Sequence, residues 1–292
     1  MTDAEPELHG QTAIVTGAGR GLGRAYATTL AEAGATVALV SRSVDELNDV
    51  AAEIADAGGT ARAFPADVTT PGALAPIVDA LGPIDLLVNN AGLRGPIGPF
   101  WESSADEYLR AIEVNLHGPV LCTAAILPGM IARRRGRVIN VASGAAAMSI
   151  AYFSSYCAAK TGLVRWTECL AIEARPHGVS VFAITPGSVR TSMTEYSLTS
   201  EAGLTWLPWY KQLFDEGLNL TPEHSARLVR RLASGRHDAL TGLMLSPLDD
   251  LDAIARESDE VKTRHLYSLR LSRLGPDRSN PILEAAERAR DT

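Results

Sequence analysis

Tyr156 and Lys160 stand four residues apart, and Ser143 lies thirteen residues before the tyrosine. A free tyrosine is a poor proton donor or acceptor at neutral pH, with a reference pKa of about 10. In a helix, positions i and i+4 share one face. The Lys160 ammonium is therefore expected beside the phenol, lowering its pKa by favouring the ionised form. The Ser143 hydroxyl would then hold the reacting oxygen. Such a trio suits moving a proton to or from a carbonyl or alcohol oxygen. Y-x-x-x-K alone also occurs by chance on surface helices, so the elements that would position it must decide.

The N-terminal stretch supplies the first of them. Ala13-Ile14-Val15-Thr16 is a short apolar run that stops at Gly17-Ala18-Gly19-Arg20-Gly21-Leu22-Gly23. A helical pattern follows through Leu22, Ala25, Tyr26, Thr29, Leu30 and Ala33, closed by Gly34. Val37-Ala38-Leu39-Val40 then reads as a second buried strand, completing a βαβ unit. The glycines fit T-G-x-x-x-G-x-G through Thr16, Gly17, Gly21 and Gly23, not G-x-G-x-x-G. Such a turn lets backbone N–H groups and a helix N-terminus approach a pyrophosphate.

The end of the second strand bears on which nucleotide. Folds specific for NAD place a carboxylate there for the ribose 2′-hydroxyl. Here Ser41 and Arg42 follow, and a guanidinium pairs well with a 2′-phosphate. Arg20 in the glycine turn is a second candidate contact. Asp45 and Glu46 are assigned to the next helix and not to the nucleotide. NADP(H) is the expectation, with NAD(H) the alternative if Arg42 is only a solvated side chain. Further on, Asp67 ends a third strand, where it either meets an adenine amino group or makes a turn. Asp85-Leu86-Leu87-Val88-Asn89-Asn90-Ala91-Gly92 is a fourth strand with its turn.

Ser143 follows Arg137-Val138-Ile139-Asn140-Val141, and Pro186-Gly187 follows Val179 to Thr185, so both sit at carboxyl ends of strands. Ligands of open α/β sheets bind along that edge. Taken together, Thr16-Gly17-x-x-x-Gly21-x-Gly23, Asp67, Asn89-Asn90-Ala91-Gly92, Asn115, Ser143, Tyr156-x-x-x-Lys160 and Pro186-Gly187 with Thr191 resemble the short-chain dehydrogenase/reductase family over residues 8 to 250. The resemblance implies an α/β doubly wound parallel sheet with helices on both faces and one site for cofactor and catalysis. It implies Tyr156 as general acid or base, Lys160 on the tyrosine and the nicotinamide ribose, Ser143 on the substrate carbonyl, and Asn115 holding a relay water. The implied cofactor contacts are Gly17, Arg20, Gly21, Leu22, Gly23, Ser41, Arg42, Asp67, Val68, Asn90, Ala91, Gly92, Tyr156, Lys160, Pro186, Gly187, Val189 and Thr191. It also implies a homodimer or homotetramer.

Composition sets the outer bounds. The 292 residues are 46% hydrophobic and 21% charged, enough for a substantial core. A net charge of −7 argues against a nucleic-acid partner. Cys122, Cys157 and Cys169 form no C-x-x-C pair, and the six histidines lack ligand spacing, so neither a disulfide frame nor a metal site is expected. No signal-peptide core opens the chain, and no run of 18 apolar residues suggests a membrane span. The expectation is a cytoplasmic protein.

The expected organisation is one Rossmann-like domain over 1–250 and a helical extension over 251–292. Residues 188–220 are expected to form a substrate lid, with Trp206 and Trp209 as candidate pocket aromatics and Tyr152 and Phe153 as a further wall. The same aromatics would equally serve to pack the lid or a subunit contact. The sequence runs on past Asp249-Asp250-Leu251-Asp252, where the family pattern has an Asp-Gly-Gly turn. The expected activity is NADP(H)-dependent interconversion of a ketone and a secondary alcohol on a hydrophobic small molecule. NAD-dependent alcohol oxidation, or a non-catalytic NADP(H)-binding regulator, are the alternatives.

Overall fold

The computed structural model describes residues 7–270. Seven parallel strands form one sheet: β1 (Thr12–Thr16), β2 (Thr36–Ser41), β3 (Thr60–Pro65), β4 (Leu86–Asn89), β5 (Gly136–Val141), β6 (Val179–Ile184) and β7 (Met244–Leu245). Their spatial order is β3-β2-β1-β4-β5-β6-β7. The order reverses between β1 and β4, which opens a crevice at the carboxyl ends of those strands. The last strand, β7, is short and pairs through Met244 and Leu245, in register with Ala183 and Ile184.

Helices cover both faces. They are α1 (Gly21–Glu32), α2 (Val44–Asp56), α3 (Ala75–Leu81), α4 (Ala105–Ile112), α5 (Gly118–Arg133), α6 (Ser154–Ala174), α7 (Ser192–Thr199), α8 (Glu201–Trp206), α9 (Pro208–Asp215), α10 (Pro222–Ala233), α11 (Leu251–Arg256) and α12 (Ser258–Thr263). Because successive strand residues point to opposite faces, the core splits in two. Val15, Leu39, Val88, Ile139 and Phe182 meet Tyr26, Leu30, Val50 and Leu232 of α1, α2 and α10. Ile14, Val40, Leu87, Val138 and Val181 meet Ile77, Ile126, Met130 and Leu170 of α3, α5 and α6. Strands buried on both sides need continuous apolar runs, and those are the runs the sequence carries.

Local signals explain several boundaries. Ser43 caps α2 through Glu46 N, with Asp45 and Glu46 in the first turn where the helix dipole favours carboxylates. Ser104 caps α4 in the same way. Between α4 and α5 the chain makes a π turn over Glu113–His117 and stays helical, so Ala105–Arg133 is one continuous helical run. By length and composition alone that run would cross a membrane; here it lies on the sheet and buries Cys122, Ile126 and Met130.

Residues 251–270 lie against the body. Leu251, Ile254 and Val261 join the core under α10. Beyond them Met244 N donates to Tyr267 O at 2.8 Å, and Leu269 N donates to Glu168 Oε1 at 2.7 Å on α6. Glu168 also pairs with Arg165 and Arg270. The expected helical extension continues to 292, and its part over 271–292 lies outside the described residues.

Candidate active site

A cavity of about 570 Å³ runs along the switch point at the carboxyl edge of the sheet. Its floor is the glycine turn between β1 and α1. A Cβ on Gly23 would stand 2.0 Å from Gly17 O and 2.6 Å from Asn90 Nδ2, so only glycine lets this turn close. Gly21 has φ +55, a left-handed conformation that favours glycine. The Asn90 side chain fastens the turn to β4: Nδ2 donates to Thr16 O at 2.9 Å and to Gly17 O at 3.3 Å. Thr16 Oγ1 in turn accepts from Asn90 N and Ala91 N. These tight approaches leave the α1 N-terminus facing the cleft, and the donor set suits a dinucleotide pyrophosphate. Gly17, Gly21, Leu22, Gly23, Asn90, Ala91 and Gly92 all line the cavity.

At the far end lie Ser41, Arg42, Asp67 and Val68. Among the described residues no carboxylate pairs with Arg42. Arg20, expected as a second phosphate contact, is instead paired with Glu46 at 3.3 Å. This also corrects the assignment of Glu46 to a helix outside the site. The residue is indeed in α2, but the helix begins so close to the glycine turn that the carboxylate meets Gly19, and it lines the cavity. Asp67 is likewise already engaged: Oδ1 accepts from Thr69 N at 2.9 Å, and Oδ2 pairs with Arg110 at 3.0 Å. The hydrogen bonds from Thr69, reinforced by Arg110, hold its carboxyl below the usual range.

Tyr156 and Lys160 sit on the first two turns of α6, and Ser143 follows β5. Lys160 is buried, and Nζ donates to Val141 O at 2.8 Å. It lies 5.6 Å from the centre of the Tyr156 ring, which stacks on Phe153 at 4.9 Å. Burial pushes the Tyr156 phenol up to about 12, and a hydrogen bond with Ser143 opposes that rise. Burial likewise brings Lys160 down to about 7. The expected lowering of the phenol by the ammonium is thus absent from this structure. Its physical reason is desolvation, which disfavours the charged form of both groups.

Asn115 occupies the π turn and is fully buried. Its Nδ2 donates to Leu93 O at 2.5 Å and Ala111 O at 2.8 Å, and its Oδ1 accepts from Leu93 N at 3.3 Å. The side chain therefore ties the loop after Gly92 to the helix, and its amide donors are taken by backbone.

The segment after β6 forms three short helices, α7 to α9. Its ends are pinned together where Val189 bridges Leu220 and Leu220 N donates to Ser188 O at 2.8 Å. Pro186 and Thr191 line the cavity. Gly187 and Val189 do not: Gly187 makes the turn at φ +80, and Val189 is buried in the pin. Trp206 packs on Tyr152 at 4.4 Å and Trp209 is exposed, so neither forms the cavity wall. Met193 and Tyr196 take that place.

Residues 11–202 match the family model for short chain dehydrogenase. The chain belongs to the short-chain dehydrogenase/reductase family. It is 40% identical over 192 residues to the ketoacyl reductase HetN of Nostoc sp., covering 64% of this chain and 67% of that one. Across the first four curated relatives the match spans 61% to 67% of the relative's length. A metagenomic short-chain oxidoreductase solved in complex with NADP is 35% identical with a TM-score of 0.66, covering 78% of this chain and 92% of that one. An actinorhodin polyketide ketoreductase variant with NADPH is 30% identical with a TM-score of 0.74, covering 81% and 95%.

Four features of this short-chain dehydrogenase/reductase were not read from its sequence. Arg94, Arg110 and Glu46 line the cavity, and Tyr210 of α9 reaches far enough in to bear on the Tyr156 phenol. Arg94 lies on a loop, and the charged Glu46 and Arg110 on α2 and α4 carry no apolar periodicity that would mark them. Only the separation of Glu46 from Ser41, about one helical turn beyond the cap, hinted that its carboxylate returns to the strand end.

Proposed function

We propose that the chain is an NADP(H)-dependent oxidoreductase that interconverts a ketone and a secondary alcohol on a largely apolar small molecule. The carrying observation is the meeting of Ser143, Tyr156 and buried Lys160 at the end of β5, beside a glycine cradle that a single methyl group would fill. A nicotinamide, when bound, supplies or accepts the hydride. In reduction Tyr156 gives its proton to the carbonyl oxygen, and Ser143 holds that oxygen as negative charge develops. A phenol pushed up to about 12 stays protonated at neutral pH, the form that donates a proton in reduction. Arg42, unpaired at the nucleotide end, supports NADP(H), as do the solved relatives with NADP and NADPH. Glu46 on the same wall favours NAD(H) as a second reading, since a carboxylate there suits a free 2′-hydroxyl.

The test is NADPH consumption with a panel of cyclic and aromatic ketones, in wild type and Tyr156→Phe. Loss of a general acid lowers turnover by about 10²–10⁴-fold. Alcohol oxidation needs the phenolate, so its rate is expected to climb through the alkaline range while reduction stays level from neutral to mildly alkaline pH. Undiminished turnover by Tyr156→Phe removes the assigned role.

A further inference from the structure

Four arginines line the cavity: Arg20, Arg42, Arg94 and Arg110. Arg20 is neutralised by Glu46, and Arg110 by Asp67 and Glu113. Arg42 stands at the strand end that faces the nucleotide. Arg94 remains, and it lies at the opposite, catalytic end. Its predecessor Leu93 is held by Asn115, and its successor Gly95 abuts Ser155, the neighbour of Tyr156.

The Arg94 side chain is half-buried, and its guanidinium carbon stands 3.8 Å from the centre of the Tyr196 ring on α7. At that distance the guanidinium is well within cation–π reach of the ring. Contact with the ring does not by itself occupy the in-plane N–H donors, although Tyr196 adds a side-chain hydrogen bond to this group. One of them, Nη1, donates to Gly95 O at 2.7 Å. Among the described residues no carboxylate forms an ion pair with this guanidinium. Burial disfavours its charge, while Tyr196 and, at longer range, Glu107 favour it. Yet no carboxylate among the described residues pairs with the fork, so this partly desolvated cation in a cavity still has room for an anion. The pyrophosphate already has the α1 N-terminus, so that anion is sought on the substrate.

We propose that Arg94, packed against the Tyr196 ring, is a substrate-specificity residue that binds an oxyanion on the ketone substrate. This rests on the reading of the site as a ketone reductase. The substrate class is then an apolar ketone with a carboxylate or phosphate ester on a short arm from the carbonyl.

The test uses the full chain saturated with NADP⁺. Calorimetry measures binding of benzoylpropionate and benzoylbutyrate, their methyl esters, and the matching phosphate monoesters, in wild type, Arg94→Gln and Arg94→Lys. Turnover with NADPH is followed on the same probes. Wild type is expected to bind the acids or the phosphates about tenfold tighter than the esters, the size of one charge-assisted contact. The better of the two names the oxyanion. Arg94→Gln removes the preference and leaves ester and NADP⁺ affinity unchanged, while Arg94→Lys keeps part of it. Equal binding of charged and neutral probes overturns the proposal, as does failure of every charged probe to bind. A fall in NADP⁺ affinity in Arg94→Gln also overturns it, by making Arg94 a cofactor contact. Turnover of the esters without a charge preference leaves the reductase reading standing and removes the clamp; charge-selective binding without turnover does the reverse.

Discussion

Lys160 Nζ donates to the carbonyl oxygen of Val141 at 2.8 Å, across the join between α6 and the end of β5. This bond locks the helix that carries Tyr156 to the strand that ends just before Ser143. It also fixes an amine where water is scarce, and burial brings its pKa down to about 7.

That burial has a thermodynamic sign. An unfolded lysine keeps its proton up to about 10.4, whereas the folded one releases it near 7. Between those values the unfolded state binds more protons, so this group makes stability rise with pH. The buried cation costs the fold most below pH 7, and the cost is relieved by pH 10. Other groups titrate in this range, so the measurable quantity is a difference. In urea denaturation without cofactor, wild type is expected to gain on Lys160→Met steadily from pH 7 to 10. A constant gap across that range would contradict it.

Cofactor choice is expected to turn on two opposed charges. Arg42→Ala should weaken NADPH binding about tenfold or more and leave NADH little changed, since only the former carries a 2′-phosphate. Glu46→Gln should strengthen NADPH and also free Arg20 from its ion pair. Fluorescence titration with both nucleotides checks this; an unaltered ratio in Arg42→Ala would exclude Arg42 as the discriminator.

Asn115→Ala strips partners from Leu93 N, Leu93 O and Ala111 O. Each buried polar group left unsatisfied costs about 1–3 kcal/mol. A loss of about 2–4 kcal/mol in unfolding free energy is expected, with slower turnover as the loop before Arg94 loosens. A variant as stable as wild type would show that the tie is replaced.

The glycines of the cradle should differ in severity. Gly23→Ala drives a methyl group into the Gly17 carbonyl at 2.0 Å and should abolish nucleotide binding and destabilise the fold. Gly21→Ala meets only Thr191 at 3.4 Å, so its cost is the positive φ, about 1 kcal/mol. Thermal melts with and without NADPH would rank them; equal damage at the two positions would refute the distinction.

Much of this site is written in local sequence. The spacing of Gly17, Gly21 and Gly23, the four-residue step from Tyr156 to Lys160, and the apolar runs ending at Thr16, Val141 and Ile184 depend only on periodicity and on which residues a tight turn admits. They foretold a parallel sheet and the edge along which its cavity opens. Contacts between distant elements were beyond that reading. Glu46 reaches the glycine turn, Asn115 spends its amide on Leu93, Val189 pairs with Leu220, and Arg94 packs on the Tyr196 ring. So does the charge state of the centre: helical spacing puts an amine beside a phenol, but the packing around both decides how much water each keeps. Spacing is a property of the chain, whereas desolvation and charge pairing belong to the fold.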